Sequence, residues 1–200
     1  MKFRLTYSGP LLATQPNRDS ARAWHKHAIR KTFHLQLKKL WATDPGLRSF
    51  AELGAKKPTD AWPTFSKAGF DWRPLACSKH HLHCELDILL LRPGEPGSAL
   101  ADIDNRLKTL FDALRMPQSA QELGRNQDGS EVLQAAEDQP FNVLLEDDKL
   151  ISAVSVQTDR LLECISPEKT DTLSANNMVR LVISVYVRPY FVTFDNTSFL

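Results

Sequence analysis

ADIDNRLKTLFDAL, residues 101–114, is the stretch on which the reading of the chain turns. Ile103, Leu107, Leu110, Phe111 and Leu114 recur at the three- and four-residue spacing of one helical face, and Met116-Pro117 ends the pattern. A helix from about Ile103 to Arg115 is expected. With successive residues turned by about 100°, Asp104, Lys108 and Asp112 share a second face of that helix. Asp102 would point away from them if the helix had already begun, so it belongs at or before the cap, where it can turn back toward the first turn. A second acidic group, LLEDDKL at 144–150, stands directly before an apolar stretch. Carboxylates gathered in one place repel one another unless a cation lies between them.

Working outward, KFRLTYSG at 2–9 carries Phe3, Leu5 and Tyr7 at period two and stops at Gly9-Pro10, a strand ended by a turn. Ser20 opens a helix to about Trp41, with Ile29, Phe33, Leu37, Leu40 and Trp41 on its buried stripe. Leu82, Cys84, Leu86, Ile88 and Leu90 alternate with polar residues as a half-buried strand. LISAVSVQT at 150–158 and MVRLVISVYVR at 178–188 are two more strands. The expected order is β-α-β-α-β-β. Between these elements, residues 42–76 hold four prolines paired with turn or bulky residues and suggest a long irregular connection with one short helix near Leu47–Leu53. Residues 117–145 suggest a second long, acidic loop with at most a short helix around Glu131–Glu137.

The chain is 200 residues long and 42% apolar, enough for one domain with a real core. No apolar run approaches the ~18 residues of a membrane helix, and the start has no secretory apolar region, so a cytoplasmic protein is expected. Cys77, Cys84 and Cys164 show no CxxC spacing and fit a reducing compartment. His80, His81 and His83 stand near two of these cysteines, but strand alternation sends Cys84 to one face and His81 and His83 to the other, which does not suit zinc. Trp62 and Trp72, set among Lys56, Lys57, Lys67 and Arg73, would either stack on bases or pin the long loop to the core.

Net charge is only +1, yet Arg18 to Lys39 holds seven basic residues against one acid, Asp19. Arg22, Lys26, Arg30, His34 and Lys38 form one stripe at strict four-residue spacing. Such a stripe is either a solvated helix face or a sequence-blind contact to a polyanion's backbone. Asp102 and Asp104 would, taken alone, be a helix cap and a first-turn acid, each worth ~1 kcal/mol or less. Together with Asp147 and Asp148 they suggest a site for Mg²⁺, a hard cation that accepts carboxylates and keeps positions for phosphate oxygens. A divalent ion there would acidify water and offset charge on phosphorus, making phosphodiester hydrolysis feasible at neutral pH. Lys108, one turn beyond Asp104, would hold a phosphate oxygen.

Asp102-Ile103-Asp104-Asn105-Arg106-Leu107-Lys108, then Phe111-Asp112-Ala113-Leu114 and Asp147-Asp148 ahead of a strand, resembles the RusA family of Holliday-junction resolvases. The likeness runs over roughly residues 80–188. It implies a small α+β fold, one RusA-like domain over residues 1–200 with a mixed four-stranded sheet and two main helices. It implies catalysis by Asp102, Asp104, Asp148 and Lys108, with Mg²⁺ (or Mn²⁺) on the aspartates and Asp147 beside them. It also implies a homodimer acting on branched DNA, with no membrane partner. A module of the same fold that binds nucleic acid or protein without chemistry is the second expectation, since the net charge is close to neutral.

Overall fold

The computed structural model describes residues 1–13, 19–56, 61–93, 103–125, 139–162 and 177–200. Strand β1 (Lys2–Pro10) is followed by helices α1 (Asp19–Thr43) and α2 (Pro45–Lys56), and then by strands β2 (Phe65–Lys67), β3 (Phe70–Ala76) and β4 (Leu82–Arg92). Helix α3 (Ile103–Leu114) leads to β5 (Phe141–Leu145), β6 (Ile151–Arg160) and β7 (Met178–Pro189). The class is α+β, in a single small domain.

All four strands expected from alternation join one mixed sheet, in the order β1-β7-β4-β6. β7 runs antiparallel to β1 and β4, whereas β4 and β6 are parallel. The register follows from the apolar pattern, because a slip of one residue would turn every core side chain outward. Leu86 faces Val185, Ile88 faces Ile183 and Leu90 faces Leu181 across β4 and β7, and Leu5 and Tyr7 continue the row on β1. These side chains are buried under Ile29, Phe33, Leu37 and Trp41 of α1. The outer edge of β1 is partly closed by Gln36 of α1, whose side-chain amide accepts from Thr6 N (2.9 Å) and donates to Thr6 O (2.7 Å).

The connection over 42–76 holds the helix expected near Leu47–Leu53, longer than expected as α2, and, where irregular chain was expected, strands β2 and β3, which join β5 in a second, three-stranded sheet. Periodicity hid these strands. β5 is buried at every position, so it shows no alternation, and β3 contains Pro74. Proline is tolerated there because β2 pairs only with Phe70–Trp72, leaving β3 an edge strand at Pro74 on that side. Trp62 and Trp72 are both buried, their indole N–H groups donating to Pro74 O (2.7 Å) and Lys67 O (2.8 Å). They pin the segment rather than offer stacking platforms. The helix expected near 131–137 lies outside the described residues.

The C-terminal stretch turns back on its own chain. Phe199 is buried against Trp62 and Phe50, and the Asn196 side chain donates to His80 O and Phe191 O, both at 2.8 Å. Phe194, by contrast, is fully exposed.

Two histidines of α1 are buried where a charge would be costly. His25 accepts from Leu12 N (3.3 Å), and His27 lies against Phe70 and Phe141. Desolvation by burial, aided by neighbouring arginines, holds the pKa of His25 down to about 4 and that of His27 to about 3. The unfolded chain therefore binds more protons below the ordinary histidine pKa of about 6.5, so stability is full above that pH and is lost as pH falls toward the folded values. Urea unfolding at pH 7 and pH 5 is expected to show a loss on the order of 2 kcal/mol per histidine. His27→Gln should remove roughly half of that loss.

Candidate active site

The expected site residues stand on two elements, the first turn of α3 and the turn after β5, and β5 ends beside the other end of α3, where Leu145 O accepts from Met116 N (2.9 Å). Asp104 is exposed at the start of α3, where the unpaired N–H groups and the helix dipole favour a carboxylate. Its Oδ1 accepts from Asn105 N at 2.7 Å. Lys108 is exposed one turn on and makes no hydrogen bond or ion pair among the described residues. Asp112, expected on the same face, is committed elsewhere. It pairs with Lys26 Nζ (2.9 Å) and Arg115 (3.0 Å) and is largely shielded from solvent. Asp102 lies outside the described residues.

The three acids after β5 have three different fates. Glu146 accepts from Ser78 N (2.7 Å), tying the end of β5 to the turn before β4. Asp147 caps the short 3-10 turn Asp148–Leu150, accepting from Lys149 N (3.1 Å) with the Lys149 ammonium 3.9 Å away. Asp148 is exposed and makes no hydrogen bond or ion pair among the described residues. Its turn packs against α3 and β4. Because Leu150 is buried, the turn is anchored and Asp148 is carried on a fixed base.

Hard carboxylate oxygens not already neutralised by lysine or arginine are what Mg²⁺ requires. Asp148 meets that condition better than Asp147. Among the described residues, no three metal-ligating side chains converge on one point. Any trio must therefore include a residue such as Asp102.

The stripe Arg22, Lys26, Arg30, His34 and Lys38 is not a free face for DNA. Arg30 and His34 are each 1% exposed, and Lys26 is half-buried in its pair with Asp112. Arg30 donates to Asp112 O (2.7 Å) and Arg115 O (3.1 Å). His34 Nδ1 accepts from Asn142 N (2.8 Å), and the ring stacks on Phe141 with centroids 4.2 Å apart. Lys38 is exposed and Arg22 half-buried. The stripe looked like a solvated face because α1 buries a second, polar face against α3 and β5. Its exposed basic residues lie instead along Lys31, Lys38 and Lys39, with Leu35 between them.

The cysteine and histidine group is also dispersed. Cys77 and Cys84 are buried, and desolvation pushes both thiols up to about 12. His80 stacks on Trp62 at 4.2 Å. His81 and His83 face Tyr190 on the sheet's other side, with a ring nitrogen of His83 2.6 Å from Ser152 Oγ. One residue inside the motif went unremarked in the sequence. Arg106 is only 3% exposed, although a mid-motif arginine on a surface helix would be expected to face solvent.

No protein-family model, curated protein or solved structure matches the chain. The α+β fold and the placement of these side chains therefore carry the functional reading.

Arg30→Ala would strand two partly buried carbonyl oxygens at the end of α3, together with the Asp112 and Arg115 charges beside them, and is expected to lower stability by on the order of 3 kcal/mol. Lys38→Ala should change it by less than about 0.5 kcal/mol. Urea unfolding of both variants makes the comparison, and equal effects would contradict the inward placement of Arg30.

Proposed function

We propose that the chain is a Mg²⁺-dependent, structure-selective endodeoxyribonuclease that cuts four-way DNA junctions as a homodimer, in the manner its motif resembles. One observation carries the reading: the Asp148 turn packs against α3, and neither Asp148 nor Lys108 is committed to a partner within the described residues. An exposed acid and an exposed lysine with no side-chain pair among the described residues are what a site for metal and phosphate needs. Asp104 and Asp148, with Asp102, would hold Mg²⁺, or Mn²⁺ in its place. When bound, the ion supplies an acidified water and offsets charge on the phosphate.

The chain's own groups do the rest. Lys108 donates to a non-bridging phosphate oxygen, fixing the phosphodiester over the first turn of α3 and countering the negative charge that grows on it. Asp147 holds the Asp148 turn in shape through its bond to Lys149 N. Two copies of the chain would present two such sites to opposite arms of a junction. No helix among the described residues is long and apolar enough to cross a membrane. A cytoplasmic location accords with the buried, unpaired Cys77 and Cys84.

Binding without chemistry is the second reading, favoured by the inward turn of Arg30 and His34, which removes cations from the expected DNA face. The two are separated by one assay. With Mg²⁺, the wild-type protein is expected to nick a synthetic four-way junction in preference to linear duplex. Asp104→Asn and Asp148→Asn are each expected to cut at least 100-fold more slowly while binding the junction within a few-fold of wild type, a loss of about 2.7 kcal/mol or more in the transition state. Salt-dependent binding with no cutting in Mg²⁺ or Mn²⁺ would select the second reading.

A further inference from the structure

The arginine inside the motif differs from the two arginines that clamp the end of α3. Arg30 and Arg115 meet carbonyl and carboxylate oxygens, whereas Arg106, more deeply buried than Arg115, has a single partner, Asn177 Oδ1, at 3.0 Å from its Nη2. Its Nε and Nη1 are buried with no hydrogen-bond partner. Arg92, the last residue of β4, likewise has a buried Nε with no partner. Arg92 follows Leu90 on the core face of β4, and β4 pairs with β7 as far as Leu91 and Arg180, so Arg92 stands at the end of the sheet where Asn177 holds Arg106. Two cations thus stand at one end of the sheet with three buried donor nitrogens unsatisfied, an arrangement that is costly unless an acceptor meets them. Arg106 lies in the second turn of α3, near the positive end of its dipole.

We infer that Arg92 and Arg106, beside the N-terminal end of α3, form a binding subsite for a phosphate group. An oxyanion offers the acceptors these nitrogens lack and removes the repulsion between the two cations in one step. Asn177, held to Arg106 and bonded through its own carbonyl to Leu11 N (2.8 Å), keeps the guanidinium from turning out to solvent. Naming the ligand rests on the nuclease reading, in which it is a backbone phosphate of DNA next to the one Lys108 engages. Inorganic phosphate shares the chemistry and serves as the simplest probe.

The test uses the full chain with Arg106→Met, which keeps the apolar stem, and Arg92→Gln as an independent variant. Inorganic phosphate and pyrophosphate are titrated during thermal unfolding at constant ionic strength, and four-way junction binding is measured against NaCl concentration. Phosphate is expected to raise the wild-type Tm by about 2–4 °C near saturation and to leave both variants unmoved. The slope of log affinity against log salt should shrink by about 1 in each variant, the mark of one lost phosphate contact. Without ligand, Arg106→Met should melt no lower than wild type, because it removes an uncompensated buried charge.

A phosphate response lost in the variants with an unchanged salt slope would keep the subsite and assign it to free phosphate. A phosphate response in a wild-type protein that never cuts junctions would keep the subsite while the nuclease reading fails. The inference is overturned if phosphate does not stabilise wild type and the salt slope stays the same in both variants. It is equally overturned if Arg106→Met melts several degrees lower with phosphate response and slope intact, since the arginine would then be a packing element only. Should Arg106→Met fail to fold, Arg92→Gln decides by the same readings.

Discussion

The guanidinium of Arg30, withdrawn from solvent in the middle of α1, closes the C-terminal end of α3. Four carbonyls at the end of any helix lack intrahelical donors, and the dipole makes that end negative. Arg30 answers both conditions by donating to Asp112 O and Arg115 O. Desolvation lowers its pKa to about 10, still far above neutrality, so the group stays charged. Lys26 and Arg115 add ion pairs to Asp112, and Arg115 reaches Glu122 at 3.0 Å. Met116 N donates to Leu145 O, joining the same end of α3 to β5. A helix of this length is about 18 Å long and stiff. Clamping one end therefore aims the other, which carries Asp104 and Lys108.

Helix α1 is the element that makes this clamp possible, because it is buried on two sides of different chemistry. Toward the four-stranded sheet it presents Ile29, Phe33 and Leu37, a dry interface stabilised by area removed from water. Toward α3 and β5 it presents Arg30 and His34, which meet carbonyls and an amide, and His27, whose ring packs on Phe70 and Phe141. The dry side contributes most of the cohesion. The polar side contributes orientation, since directional bonds define one rotation of α1 where apolar contact would tolerate several.

That division explains what could be read from the sequence. Side chains that alternate or repeat at helical spacing announce one buried face, so β1, β4, β7, α1 and α3 were legible; β6, which buries no side chain, and the short α2 were read as well. Elements buried everywhere, or interrupted by proline, announce nothing, and so β3 and β5 were taken for loop. The same omission misread Arg30 and His34: with the second sheet unseen, polar residues at four-residue spacing had nowhere to go but solvent. Within the acidic turn the letters EDD are equivalent, yet Glu146 is bonded to Ser78, Asp147 caps its own turn and Asp148 is exposed. Only the path of the backbone out of β5 separates the three roles.

Charge allocation follows from the same geometry. A net charge of +1 conceals cations used internally at Lys26, Arg30 and Arg115, and others left outward on Lys31, Lys38 and Lys39. Since exposed charges are screened beyond about 8 Å at physiological ionic strength, a polyanion responds to these local groups and not to their sum. The solvent face of the β1/β7 pair carries Lys2, Arg4, Arg180 and Arg188, with the Tyr186 ring between Lys2 and Arg188 at 4.9 and 5.9 Å. The exposed carboxylates Asp104 and Asp148 stand by the start of α3 and its turn. Cations and acids are thus sorted by element, which lets one near-neutral chain carry locally positive and locally negative surfaces.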